Sequence, residues 1–126
     1  MSKDNLQILV LDDEPIVGKR LRTALEKNGH VVEVFEDSRV ALGRLDEKEF
    51  DIIVTDVRLE EVDGIQVLEH VLERSARTKV IVITGYATVE VAREALAKGA
   101  FDFIAKPFKP DDLRQVIKKA AEALEP

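Results

Sequence analysis

The chain has 126 residues, 45% of them hydrophobic and 35% charged, with no cysteine and a net charge of -6. That size and balance suit one globular domain, exclude disulfides and thiolate metal sites, and argue against direct nucleic-acid contact, which rests on cations at phosphate. No apolar run is long enough to span a membrane and no signal-peptide pattern follows Met1, so a cytoplasmic location without membrane contact is expected.

Strand-like and helix-like segments alternate along the whole chain. Leu6–Leu11 is a compact apolar run, followed by a helix with Pro15 in its first turn, where a missing N–H costs little. Helical spacing puts Ile16, Val17, Leu21, Ala24 and Leu25 on its inward face, and Gly29 stops it. Val31–Phe35 reads as the second strand, and Ser38 as N-cap of a helix burying Ala41, Leu42 and Leu45. Asp51–Thr55 is the third strand. Asp63-Gly64 leads into a helix with Ile65, Leu68, Val71 and Leu72 on one face. Lys79–Ile83 is the fourth strand, and the next helix runs from a Thr88 cap to a Gly99 stop with Val89, Ala92 and Leu96 inward. Phe101–Ala105 is the fifth strand. The last helix starts near Pro110 and Asp111 and lines up Leu113, Val116, Ile117, Ala120, Ala121 and Leu124. The pattern is (βα)5. Strands rich in Val and Ile without polar alternation predict a parallel sheet covered on both faces, with right-handed crossovers.

Five polar residues follow these strands: Asp12 and Asp13 after the first, Asp56 after the third, Thr84 after the fourth and Lys106 after the fifth. In an open α/β sheet the carboxyl ends of parallel strands form one rim where ligands bind. Each residue also has an ordinary reading. Asp12-Asp13 suits a helix N-terminus, Asp56 a turn, Thr84 a turn before Gly85, and Lys106 a surface stem with a solvated head. Taken together they favour chemistry. Two like charges about 4 Å apart repel by roughly 4 kcal/mol at an effective dielectric of about 20, an expensive way to cap a helix. A divalent cation would offset that repulsion, and Mg2+ prefers a few carboxylate oxygens with several retained waters. The set points to Mg2+-dependent handling of a phosphoryl group. His30 and His70 lie outside the rim elements and are expected to be solvated, with no metal role.

Asp12-Asp13-Glu14, Thr55-Asp56, Asp63-Gly64, Thr84-Gly85 and Lys106-Pro107-Phe108 together resemble a bacterial response-regulator receiver domain of two-component signalling, across essentially the entire chain. Thr84-Gly85-Tyr86-Ala87-Thr88 and the run Gly99 to Phe108 resemble the nitrogen-regulator class, in which the receiver is joined to an ATPase and a DNA-binding domain. The resemblance implies a flavodoxin-like five-stranded sheet of order 2-1-3-4-5. It implies that residues 1–126 form a single receiver module, the N-terminal part of a longer regulator. Asp56 would accept a phosphoryl group from a sensor histidine kinase. Mg2+ would be held by Asp12, Asp13, Asp56 and the backbone carbonyl of Arg58, with Asp12 acting chiefly through metal-bound water. Lys106 and Thr84 would stabilise the phosphoryl oxygens, and the Lys106-Pro107 bond would be cis. Thr84 and Phe103 would then act as the switch, repacking the face of the fourth helix, fifth strand and last helix. That face would control an output, transcription above all, and support a homodimer. The domain would assist its own phosphotransfer and autodephosphorylation without turning over a separate metabolite. One departure is Glu60 where the family usually has Pro, expected to alter metal affinity or phosphoryl lifetime.

Three other readings compete. A haloacid-dehalogenase-like phosphatase uses similar residues but has a DxDx motif after its first strand, unlike Asp12-Asp13-Glu14-Pro15. A flavin-binding module would need a glycine- and hydroxyl-rich loop where two acids stand. An unphosphorylated pseudo-receiver scaffold would not need all five rim residues.

Overall fold

The computed structural model describes residues 5–57, 64–85 and 89–124. Along them run β1 (Gln7–Leu11), α1 (Pro15–Lys27), β2 (Val31–Phe35), α2 (Ser38–Glu47), β3 (Ile52–Asp56), α3 (Gly64–Arg74), β4 (Lys79–Thr84), α4 (Val89–Ala97), β5 (Asp102–Ala105) and α5 (Pro110–Leu124). The strands are parallel throughout, in the order β2-β1-β3-β4-β5. This is the flavodoxin-like (βα)5 sheet expected above.

Successive strand residues point to opposite faces, so each strand feeds two cores. On one side Ile8, Val10, Ile52, Val54, Ile81 and Ile83 pack with Leu21 and Leu25 of α1 and with Leu113 and Ile117 of α5. On the other, Leu9, Leu11, Ile53, Val80 and Val82 meet Ala41 of α2, Leu68 and Val71 of α3, and Ala95 of α4. Burial on both faces is why the strands read as unbroken apolar runs. Gly29 and Gly99, at φ of 87° and 110°, follow α1 and α4 as the left-handed residues that stop them.

Several local expectations are corrected. Ile16 is 65% exposed rather than inward, because α1 turns Gly18, Leu21 and Leu25 to the sheet. In α4 Ala92 and Ala95 are buried, and Leu96 is exposed. Asp37, not Ser38, caps α2: its carboxylate accepts from the Arg39 and Val40 N–H groups, and Ser38 is the first helical residue. The Thr88 cap lies outside the described residues. Neither histidine is simply solvated. Half-buried His30 accepts the Leu6 N–H at its Nδ1 (3.1 Å), while His70 Nε2 lies 2.9 Å from Asp46 Oδ1.

The edge strand β2 is fastened by Glu33. Arg44 donates from Nε and Nη2 to its two oxygens at 2.8 and 3.0 Å, and Lys48 adds a third bond at 3.2 Å. The Arg44 hydrogen bonds hold the Glu33 carboxyl below its ordinary value of 4.5. A depressed acid stabilises the fold above its unfolded value, and that contribution disappears as pH falls through the lowered one. Glu33→Gln is therefore expected to cost about 0.5–1 kcal/mol at neutral pH. Urea melts should show the gap between variant and parent closing as pH drops below 4.5; a gap that stays constant would contradict this account.

Candidate functional site

Four strand ends converge on one rim. Parallel pairing sets β1 beside β3 in the middle of the sheet, so Asp12 and Asp56 leave the sheet side by side. Backbone bonds continue past the strand ends: Asp12 N–H to the Phe35 carbonyl, Val57 N–H to the Ile83 carbonyl, and Lys106 N–H to the Thr84 carbonyl at 2.7 Å. The platform is thus rigid where the polar side chains begin.

Lys106 Nζ donates to Asp56 Oδ2 at 2.9 Å and to Glu14 Oε1 at 3.0 Å, and lies 3.4 Å from Asp12 Oδ2. Asp12 is fully buried, Asp56 is 7% exposed, and Asp13 stands in solvent. Burial pushes the Asp12 carboxyl up, against the opposing pull of the Glu14 N–H and the Lys106 charge. Burial also works against the Lys106 ammonium, but hydrogen bonds to Asp56 and Glu14 outweigh it and hold this lysine above its ordinary range. The pocket therefore keeps its cation firmly charged. Thr84, on the end of β4, is 1% exposed, and its hydroxyl finds no hydrogen-bond partner among the described residues. The same is true of Asp12 Oδ2.

Sequence reasoning expected Asp12, Asp13, Asp56, Thr84 and Lys106 to meet. The structure brings Asp12, Asp13 and Asp56 into one acidic cluster, with Lys106 bonded into it and Thr84 at the neighbouring strand end. Arg58, Glu60 and Tyr86 lie outside the described residues. Glu14 was quoted above only as part of a motif, yet its carboxylate belongs to the cluster. Adjacency to Asp12-Asp13 was the one signal available. Nothing local says that its side chain reaches a lysine 92 positions away. Phe103, the expected switch aromatic, lies on β5 and is 37% exposed. The Lys106-Pro107 bond is cis, as the resemblance implied.

The donor set fits a hard divalent cation. Asp12, Asp13, Glu14 and Asp56 each offer a carboxylate oxygen, all within 4.8 Å of one another. One buried oxygen among them, Asp12 Oδ2, has no hydrogen bond to satisfy it. All-oxygen ligation with room for water is what Mg2+ asks for.

Comparison with known proteins agrees with the geometry. Residues 8–118 match the response regulator receiver domain family. The chain is 38% identical over 116 residues to the regulatory protein AtoC of Escherichia coli (strain K12), a match spanning 92% of this chain and 25% of that protein. Its fold superposes on the crystal structure of NtrX from Brucella abortus in complex with ADP with a TM-score of 0.90 at 30% identity, covering 95% of this chain and 28% of that one. The solution structure of the beryllofluoride-activated NtrC4 receiver domain dimer gives 0.88 at 33% identity, covering 98% and 100%. The chain spans about a quarter of the length of the first curated relatives it matches.

Proposed function

Because the chain belongs to the response regulator receiver domain family, with relatives of the nitrogen-regulator class, we propose that it takes a phosphoryl group onto Asp56 from the phosphohistidine of a sensor histidine kinase. Receiver domains are signalling domains rather than turnover enzymes, and the haloacid-dehalogenase alternative is not favoured. The observation that carries the proposal is the Asp56 carboxylate, 7% exposed, with the Lys106 ammonium 2.9 Å from one oxygen and a buried Asp12 beside it.

In the transfer, an Asp56 oxygen forms the new P–O bond as the donor's P–N bond breaks, and the imidazole leaves with the bonding electron pair. Asp12, Asp13 and Asp56, with the Arg58 carbonyl, would hold a divalent cation, which would supply charge neutralisation as the anions come together. Lys106 exchanges its Asp56 oxygen for a phosphoryl oxygen, so one ammonium serves both states. Water attack on the acyl phosphate in the same pocket returns Asp56 to its free form. Donor approach is supported by the surface next to the rim, where Lys106 shares a largely apolar groove with Val17, Ala24, Pro107 and Phe108.

Readout starts at Thr84. A buried hydroxyl without a partner lowers stability, and a phosphoryl oxygen nearby offers it one. Thr84 moves toward the modification, and Phe103 turns from its half-open position into the space left, burying its ring. The face of α4, β5 and α5 is thereby remade, which is a local charge event with a surface consequence. The likeness to the NtrC4 receiver, which was solved as a dimer, supports homodimerisation, and the remade face is the surface proposed for it. Residues 1–126 then act as one receiver module whose output is transcriptional control, with the nucleic acid touched by another part of the regulator.

Exposure to acetyl phosphate and Mg2+, followed by intact-mass measurement, tests the reading. One phosphoryl group should be added, and none should be added when Mg2+ is chelated. Thr84→Val makes a separate prediction. Exchanging an unsatisfied hydroxyl for a methyl of the same shape should leave the unmodified protein as stable as the parent or more so, by up to about 1 kcal/mol. The variant should still be phosphorylated but lose the dimerisation that follows. A thermal melt falling by several degrees would mean that the hydroxyl has a partner after all.

A further inference from the structure

We propose that Glu14 is a positioning residue for Lys106, receiving its ammonium when a divalent cation takes over the carboxylates of Asp12 and Asp56. The inference rests on the divalent-cation reading of the pocket given above.

The problem it solves is competition. Lys106 Nζ and an entering cation draw on the same two carboxylates, Asp12, whose Oδ2 lies 3.4 Å from the ammonium, and Asp56, whose Oδ2 lies 2.9 Å from it. A unit charge and a double charge held a few ångströms apart repel strongly in a pocket shielded from water. Their repulsion favours withdrawal of the ammonium, the more weakly charged of the two. Withdrawal into solvent would remove Lys106 from the pocket just when its charge is needed there.

Glu14 offers another course. Its Oε1 already accepts from Lys106 at 3.0 Å, and its side chain is 62% exposed, against 0% for Asp12. A shift toward Glu14 therefore carries the ammonium outward, away from the buried acid, while keeping it paired. The rest of Glu14 is arranged so that its carboxylate is available. The residue occupies the N-cap of α1, yet its side chain makes no capping bond. Its backbone N–H is held by Asp12 Oδ1 at 2.9 Å, and its carbonyl accepts the Val17 and Gly18 N–H groups. The backbone is fixed by the helix start, and the carboxylate is left to the lysine.

The rival role is direct ligation, since the Glu14 carboxylate lies in the same 4.8 Å cluster as the three aspartates. A double-mutant cycle separates the two. Mg2+ binding to the unphosphorylated chain would be measured by calorimetry for the parent, Glu14→Gln, Lys106→Met and the double variant. Thermal melts without Mg2+ would check that each is folded. Glu14→Gln should weaken binding roughly three- to tenfold, the size of coupling between groups in contact. Lys106→Met should tighten it by removing the competitor, and in that background Glu14→Gln should cost nothing further. An equal loss in both backgrounds would make Glu14 a ligand and overturn the proposal. Unchanged binding in Glu14→Gln would also overturn it, leaving Glu14 no part in cation binding. A folded parent that binds no Mg2+ at all would fail at the earlier step, defeating the cation reading and this inference with it.

Discussion

Asp56→Asn should take up no phosphoryl group from acetyl phosphate and Mg2+ under conditions that fully modify the parent. The two side chains have the same shape, so the change is chemical. A carboxylate oxygen carries the negative charge that attacks phosphorus, whereas a carboxamide oxygen shares its electrons with nitrogen and is a poor nucleophile. A loss of at least about a thousandfold in rate is expected, or roughly 4 kcal/mol of barrier. Folding should not suffer. Burial raises the Asp12 pKa first of all, and the charge of the neighbouring Asp56 adds a smaller repulsion to it. Removing one charge relieves that repulsion while the Asn oxygen can still accept from Lys106. The variant should melt no lower than the parent in the absence of Mg2+. Continued single phosphorylation would move the acceptor elsewhere, with Asp13 the first residue to examine.

Gly64→Ala should be the most damaging one-carbon change among the glycines whose surroundings are open to comparison. A Cβ on Gly64 would lie 2.6 Å from the Asp56 carbonyl oxygen and 2.7 Å from the Val57 Cα. Both are backbone atoms, so no side-chain rotation relieves the clash, and Gly64 N–H is bonded to the Val57 carbonyl at 3.1 Å. Overpacking of this kind costs about 1–3 kcal/mol, or several degrees in melting temperature. The strain falls on the residue that carries the nucleophile. Phosphorylation should therefore slow more than lost stability explains, when rates are compared at a temperature where both proteins are folded. Gly43→Ala is the matched control. Nothing lies within 4 Å of its added carbon, and the residue sits inside α2, where Ala is favoured over Gly by up to about 1 kcal/mol. It should stabilise the protein and leave phosphorylation alone. Equal melting temperatures for the two variants would remove the steric explanation.

Much of this molecule was readable as sequence because its physics is periodic or punctuated. Ile52 to Val54 and Val80 to Ile83 read as strands because short unbroken Val and Ile runs suit a parallel sheet covered on both sides. Gly29 and Gly99 stopped helices for a backbone reason visible in one letter. Failures came where neighbours offered equal local chances. Asp37 and Ser38 are both good caps, and only the extended backbone at Asp37 (φ -107°, ψ 122°) decides between them. Ile16 falls on a reasonable helical face, but α1 approaches β2 so closely that a Cβ on Gly18 would lie 2.7 Å from Val34. That approach rotates Gly18 inward and Ile16 out, and no periodicity records it. The site divided in the same way. Residues ending strands could be listed in advance because topology gathers strand ends. Glu14 could not be recognised, because its role depends on a lysine brought near only by the complete fold.

The two borders of the sheet are unlike. On β2, a row of backbone donors and acceptors is guarded by the Glu33, Arg44 and Lys48 charges, and on β5 only four residues offer ladder positions at all. Ribbon growth by strand addition is thus discouraged at both margins. Any association must be chosen through side chains, which a covalent signal can rearrange, and not through peptide groups, which it cannot.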